Sequence, residues 1–87
     1  MTKIWHDTAW SQYLHWQSRD KKTLARINKL ILDIERNGYR GIGKPEPLKH
    51  DLNGYWSVRI DDKNRIVFRI VNEELEIIQC GSHYQDK

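Results

Sequence analysis

The chain has 87 residues and a formal net charge of +3, from 15 Lys and Arg against 12 Asp and Glu. That length holds one modest hydrophobic core, so residues 1–87 read as a single domain. With 38% hydrophobic and 31% charged residues and no long apolar run, the composition excludes a disordered chain and a membrane span.

Cys80 is the only cysteine, which rules out an intrachain disulfide. With no signal-peptide pattern, the chain reads as cytoplasmic. Cys80 itself, in the run Ile77-Ile78-Gln79-Cys80, reads as a small core residue.

From the N-terminus, Lys3-Ile4-Trp5 forms a short strand, and Asp7 is placed to cap a helix. Trp10, Tyr13, Leu14 and Gln17 form a stripe at helical spacing, so the first helix runs to about Asp20. Asp20 caps a second helix, whose apolar face is Leu24, Ile27, Leu30, Ile31 and Ile34 and whose stop is Gly38. Lys22, Arg26, Lys29, Asp33 and Arg36 take its solvated face. Residues 38 to 47 read as loop, and Glu46 is held stiff and extended between Pro45 and Pro47.

Strands follow at Leu48–Leu52, Tyr55–Ile60, Arg65–Val71 and Leu75–Cys80, with turns at Asn53-Gly54 and Asn72-Glu73-Glu74. The order β-α-α-β-β-β-β predicts an α+β fold: two N-terminal helices on one face of a twisted antiparallel sheet. In the middle strands Trp56, Val58 and Ile60 share one face, as do Ile66, Phe68 and Ile70. If both sets meet the helices, the period of two gathers Arg59, Arg65 and Arg69 on the opposite, open face. Pairing Ile60 directly with Arg65 would defeat that expectation.

Three segments carry candidate chemistry: Lys44-Pro45-Glu46-Pro47-Leu48-Lys49, Asn64-Arg65-Ile66-Val67, and Gly81-Ser82-His83-Tyr84. They supply a carboxylate, a guanidinium, an imidazole and a phenol. Cleaving RNA with its own 2′-hydroxyl needs a base, an acid, a counter-charge for the phosphate and in-line positioning. Glu46 suits the base and His83 the acid, although the two can trade roles. Arg65 suits the phosphate, and Tyr84 offers a ring for a base to stack on. His50, on a strand beside Lys49, is a further candidate for substrate contact.

Taken singly, each has a plainer reading. Glu46 is then an exposed loop acid, His83 a surface histidine, Arg65 a strand-start cation and Tyr84 a packing residue. His6 and His15 have no matching ligands nearby, and no metal-binding spacing occurs, so neither a metal nor a cofactor is expected. The spacing of Gly38, Gly41 and Gly43 fits no phosphate-binding loop.

The chain resembles the YoeB toxins of the RelE/ParE superfamily. The likeness is carried by Trp10 with Tyr13-Leu14-His15-Trp16-Gln17, Asp20-Lys21-Lys22, and Ile27-Asn28-Lys29-Leu30-Ile31. It is most specific in Gly41-Ile42-Gly43-Lys44-Pro45-Glu46-Pro47-Leu48-Lys49-His50, in Gly54-Tyr55-Trp56-Ser57-Val58-Arg59-Ile60, and in Arg65-Ile66-Val67-Phe68 with His83-Tyr84. The resemblance implies a RelE-like fold and a ribosome-dependent mRNA endoribonuclease that cuts in the A site, arrests translation, and leaves a 2′,3′-cyclic phosphate. It implies that Glu46, Arg65, His83 and Tyr84 are catalytic, with Lys49 and Arg59 assisting at phosphate. The partners it implies are a YefM-type antitoxin, the bacterial ribosome with mRNA, a second copy of the chain, and operator DNA only together with antitoxin.

Three positions depart from the family pattern: Val58 where relatives often carry a basic residue, Phe68 in place of a tyrosine, and the extension Gln85-Asp86-Lys87. Two other readings share the fold: a gyrase-poisoning toxin of the ParE type, and a non-catalytic binder of antitoxin or RNA.

Overall fold

The structure, a computed structural model, describes residues 1–82. Its seven regular elements are β1 (Thr2–Trp5), α1 (Asp7–Arg19), α2 (Lys21–Asn37), β2 (Glu46–Pro47), β3 (Trp56–Arg59), β4 (Arg65–Val71) and β5 (Glu74–Gly81). Single 3-10 turns occupy Gly38–Arg40 and His50–Leu52.

Helix α2 forms where the sequence is most clearly patterned. The Asp20 side chain caps it, accepting from the Thr23 backbone N–H at 3.1 Å and from the Thr23 hydroxyl at 2.8 Å. Those bonds hold the Asp20 carboxyl below its ordinary range. Ile27, Leu30, Ile31 and Ile34 are buried along one face, and Gly38 ends the helix with φ +61°. The opposite face is not wholly solvated. Arg26 donates to the Arg59 carbonyl at 3.2 Å, and the Asp33 carboxylate accepts from the Ile42 N–H at 2.8 Å. The first contact ties the end of the Trp56–Arg59 strand to α2, and the second ties back the loop that follows α2.

Of the expected α1 stripe Trp10, Tyr13, Leu14 and Gln17, only Tyr13 turns to the core. Ala9 is fully buried and Gln12, Tyr13 and Trp16 are half-buried, whereas Trp10 and Leu14 are 45% and 44% exposed. Asp7 is the first helical residue rather than the cap, a position held by His6. The rotation has a clear cause in the sheet. Strand β1 pairs with β5 only from Thr2–Glu74 to Trp5–Ile77, and His6 N–H adds a last bond to the Ile77 carbonyl. Beyond that point the outer edge of β5 needs other partners. Gln12 Oε1 accepts from the Cys80 N–H at 2.7 Å, and the Trp16 indole N–H donates to the Cys80 carbonyl at 2.9 Å. Polar atoms of α1 therefore complete the ladder where β1 stops.

The sheet runs β1-β5-β4-β3-β2. The α+β class and helix-on-sheet layering are as expected, but the sheet is mixed, because β1 lies parallel to β5 while every other pair is antiparallel. Its inner face contributes Val58, Ile60, Ile66, Phe68, Leu75, Ile77 and Cys80 to one core with Ala9 and the α2 face. Burying each Val, Ile, Leu or Phe side chain among these contributes about 1.5–3 kcal/mol. Tyr39 closes one end of this core. Its ring stacks on Trp56 (4.6 Å between centroids) and its hydroxyl accepts from the Ile70 N–H at 2.7 Å. Among the described residues, no helix is long and apolar enough to cross a membrane.

The expected strand Leu48–Leu52 is not formed. A two-residue edge strand, Glu46–Pro47, pairs with Trp56 and Ser57 instead. At an edge the missing Pro47 N–H leaves no ladder bond unmade. The ladder ends with Leu48 N–H to the Tyr55 carbonyl, and His50, with φ +58°, turns the chain out of extended conformation. Asn53-Gly54 does make a turn, closed by Tyr55 N–H to the Leu52 carbonyl. Asn72 and Glu73 both have positive φ and form a two-residue hairpin turn between β4 and β5.

Candidate functional site

The site is built by strand register. Strand β3 pairs with β4 as Trp56–Phe68, Ser57–Val67, Val58–Ile66 and Arg59–Arg65. Ile60 N–H bonds the Asn64 carbonyl, so the pairing of Ile60 with Arg65 that would have defeated the arginine face does not occur. The Asp61 carboxylate sets this turn by accepting from the N–H groups of Lys63 and Asn64 at 2.9 and 2.8 Å. With Val58 and Ile66 in the core, Arg59 and Arg65 lie side by side on the outer face. Arg65 pairs in turn with Gly81 of β5, the last strand residue before Ser82.

The next row across the same face is Glu46, Ser57, Val67 and Gln79. A register shift at Val67/Phe68 keeps Gln79 on this face, while Leu75 and Ile77 point to the core. Glu46, opposite Ser57, thus meets the arginines: its Oε1 lies 3.9 Å from Arg65 Nη1. Arg65 Nη1 also donates to Ser57 Oγ at 3.4 Å. The pair is half-open to solvent, with side chains 33% (Arg65) and 55% (Glu46) exposed, so it adds little stability. What it provides is a carboxylate and a fixed guanidinium facing one volume, an arrangement suited to a phosphodiester.

Ser57 and Gln79, both buried on this face, are residues that sequence reasoning missed. The available signal was a polar residue inside an otherwise apolar strand, at a spacing of two from Arg59 and Gly81. Among the described residues, the buried side-chain atoms Gln79 Oε1 and Arg59 Nε find no hydrogen-bond partner. Gln79 Nε2 donates to the Gly81 carbonyl at 3.0 Å, which fixes the backbone where β5 leaves the sheet.

The other expected residues are placed as follows. Lys49 and His50 are exposed and follow the β2 strand, His50 opening the 3-10 turn. Lys44 and His50, both at positive φ, bracket the Glu46–Pro47 segment. Arg69 is on the arginine face but is already engaged. Its Nε donates to Glu76 Oε1 at 2.5 Å, and its guanidinium lies 4.8 Å from the Tyr55 ring centroid. Glu76 also has His6 Nε2 at 2.6 Å and accepts from the Tyr55 hydroxyl at 3.3 Å. Burial pushes the Glu76 carboxyl up, but the bonds from Arg69 and His6 outweigh it and hold it below its ordinary value. The arginine face is thus two patches, an open one at Arg59 and Arg65 and a neutralised one at Arg69. His83 and Tyr84 lie outside the described residues.

Among the described residues, no group of three or more His, Cys, Asp or Glu gathers to hold a metal ion. Cys80 is buried, and burial pushes its thiol up to about 12.

With this geometry in place, comparison with known proteins gives a consistent result. Residues 5–84 match the model of the YoeB-like toxin of bacterial type II toxin-antitoxin systems. The chain is 52% identical over 75 residues to Toxin YoeB of Streptomyces coelicolor, covering 86% of this chain and 89% of that one. A solved YoeB/ParE toxin from Agrobacterium tumefaciens superposes with a TM-score of 0.92 at 43% identity, covering 97% of this chain and all of that one. The YoeB of Staphylococcus aureus, solved in a heterotetrameric complex with YefM, superposes with a TM-score of 0.90. Solved as a dimer it gives 0.89, and in both structures it is 39% identical, with 97% of this chain and 98% of that chain covered.

Proposed function

This chain belongs to the YoeB-like toxins of bacterial type II toxin-antitoxin systems, and from that premise we propose that it is a ribosome-dependent mRNA endoribonuclease acting in the A site. The observation that carries the reading is the Glu46–Arg65 pair, 3.9 Å apart on the outer sheet face, beside the strand end that leads to His83. In the proposed reaction Glu46 takes the 2′-hydroxyl proton. The freed oxygen attacks the adjacent phosphorus, and the P–O bond to the 5′ oxygen breaks. His83 protonates that leaving oxygen. The products are a 2′,3′-cyclic phosphate and a 5′-hydroxyl, so atoms and charge balance without a co-reactant. The nucleophile belongs to the substrate, so the chemistry requires no metal.

Arg65 and Arg59 face the charge that builds on phosphorus, and Ser57 Oγ steadies the Arg65 fork. Lys49 and His50 extend the basic surface along the strand, and Tyr84 is assigned to substrate positioning. Arg69, already neutralised by Glu76, contributes at the margin of the RNA track.

The partners of this reading are the bacterial ribosome with mRNA, a YefM-type antitoxin and a second copy of the chain. The last two are supported by the Staphylococcus aureus relative, solved with YefM and as a dimer. Operator DNA is contacted through the antitoxin complex, and the cytoplasm is the setting in which all these partners occur.

The test is purified, antitoxin-free protein on programmed bacterial ribosomes, with mRNA ends mapped by primer extension. A cut in the A-site codon that needs ribosomes is expected. Glu46→Ala and His83→Gln should each lower it by about 10²-fold or more while the protein stays folded. Full activity in both variants would refute the assigned roles. Gyrase inhibition without mRNA cleavage would replace the reading altogether.

A further inference from the structure

A groove of about 380 Å³ opens at the end of the sheet, between α1 and the point where β5 leaves. It lies within the size range of small-ligand clefts. One wall is the α1 side, with Gln12, His15 and Trp16, and the other is formed by Asn64, Gly81 and Ser82. The second wall adjoins the proposed site, since Asn64 precedes Arg65 and Gly81 is the β5 partner of Arg65.

The lining presents flat rings and two amides whose orientation is set from behind. The His15 and Trp16 rings meet edge to face, with centroids 5.8 Å apart, and the Trp16 indole is locked by its bond to the Cys80 carbonyl. Gln12 spends its Oε1 on the Cys80 N–H, and its Nε2 is a donor with no partner among the described residues. Asn64 spends its Nδ2 on both Asp61 oxygens, at 3.0 Å each, and its Oδ1 is an acceptor with no partner among the described residues. Gly81 keeps the Gln12 amide reachable, because a Cβ there would lie 3.1 Å from Nε2 and cover it.

Two aromatic rings among amide and hydroxyl groups, with no carboxylate or ammonium among the described lining residues, fit a planar heteroaromatic group with a mixed hydrogen-bonding edge. We propose that this groove is a nucleobase subsite, which takes an unstacked base of the RNA strand next to the phosphate held at Arg65. The proposal rests on the endoribonuclease reading for the identity of the strand. The groove is separate from the catalytic carboxylate and adds sequence preference and binding to it. Stacking on the face of one of these two rings supplies most of the affinity, and the Gln12 and Asn64 amides read the base edge.

Two measurements test this. The first is a titration of ¹⁵N-labelled protein, in its His83→Gln form, with a 2′-O-methyl trinucleotide that cannot be cleaved. The Trp16 indole N–H and the Gln12 and Asn64 side-chain amides are expected to shift together and saturably. The second is cleavage on programmed ribosomes by His15→Ala and by Gln12→Glu. The latter keeps the acceptor for the Cys80 N–H and removes the donor. In both variants KM should rise about 10-fold more than kcat falls, with a flatter base preference beside the cut. If wild-type protein cleaves but the groove amides do not shift and the variants keep the wild-type KM and preference, the subsite is refuted while the nuclease reading stands. If the groove shifts appear but wild-type protein never cleaves, the nuclease reading fails and the base-binding groove stands.

Discussion

Gly43 is the residue on which the placement of the Glu46 segment turns, and substituting it gives a quantitative test of the packing. Its φ is +84°, and its carbonyl accepts from the Arg59 N–H at 2.7 Å, which seats the loop against β3 just before the Glu46–Pro47 strand. A Cβ at this position would lie 2.9 Å from Leu30 Cδ2 and 3.1 Å from Val58 Cβ. Leu30 is fully buried, and the Val58 Cβ is attached to a paired strand, so neither can move aside freely. Gly43→Ala should therefore carry two costs. The left-handed backbone costs about 1–2 kcal/mol, and forcing a methyl into the packed core costs about 1–3 kcal/mol. Gly54→Ala is the control, because Gly54 has φ +97° but nothing within 4 Å of the built Cβ. It should carry the backbone cost alone, and the entropy that alanine removes from the unfolded chain is common to both variants. Urea denaturation followed by tryptophan fluorescence should place Gly43→Ala about 1–3 kcal/mol below Gly54→Ala. In a domain of this size, each kcal/mol corresponds to about 4–8 °C in Tm. Two variants equal to within about 0.5 kcal/mol would refute the crowding argument, and with it the claim that core packing fixes the approach to Glu46.

Two further outcomes follow from the ionisable groups. Cys80 is buried with its thiol pushed up to about 12, so iodoacetamide at neutral pH should leave it unmodified in the native protein and label it rapidly in denaturant. Comparable labelling in both states, followed by mass spectrometry, would contradict the burial. The Glu76 carboxyl is held below its ordinary 4.5, so the unfolded chain binds its proton first as acid is added. Its stabilisation is complete above about pH 4.5 and is lost as pH falls through the lower, folded-state value. Glu76→Gln should flatten the loss of stability in that acid window, measured by denaturation at several pH values. An unchanged slope would show that the carboxylate is not the group responsible.

Much of the fold was legible from the chain because its signals are local. The Asp20 cap, the apolar stripe from Ile27 to Ile34 and the Gly38 stop define α2 within a single stretch of sequence. The alternation in β3 and β4 placed Arg59 beside Arg65 on the outer face, since only one face of a strand can meet the helices. The same locality explains the failures. The stripe of Trp10 and Leu14 is as periodic as the stripe of Ala9, Gln12, Tyr13 and Trp16. Which one turns inward depends on the unpaired edge of β5 near Cys80, some 65 residues further along the chain. His50 at φ +58° breaks a stretch that composition alone reads as strand.

The sequence by itself thus determined the α+β class, the single core, the second helix and the grouping of the two open arginines. Those follow from side-chain period and capping, which act over a few residues. Only the tertiary structure decided that β1 runs parallel to β5, that Glu46 stands opposite Ser57 and so faces Arg65, and that Glu76 neutralises Arg69. It also decided that α1 and the end of β5 leave an open groove beside the arginines. Each of these depends on which distant backbone edge finds which partner. That choice is governed by unpaired N–H and C=O groups and packing volume across the whole domain, and no local pattern records it.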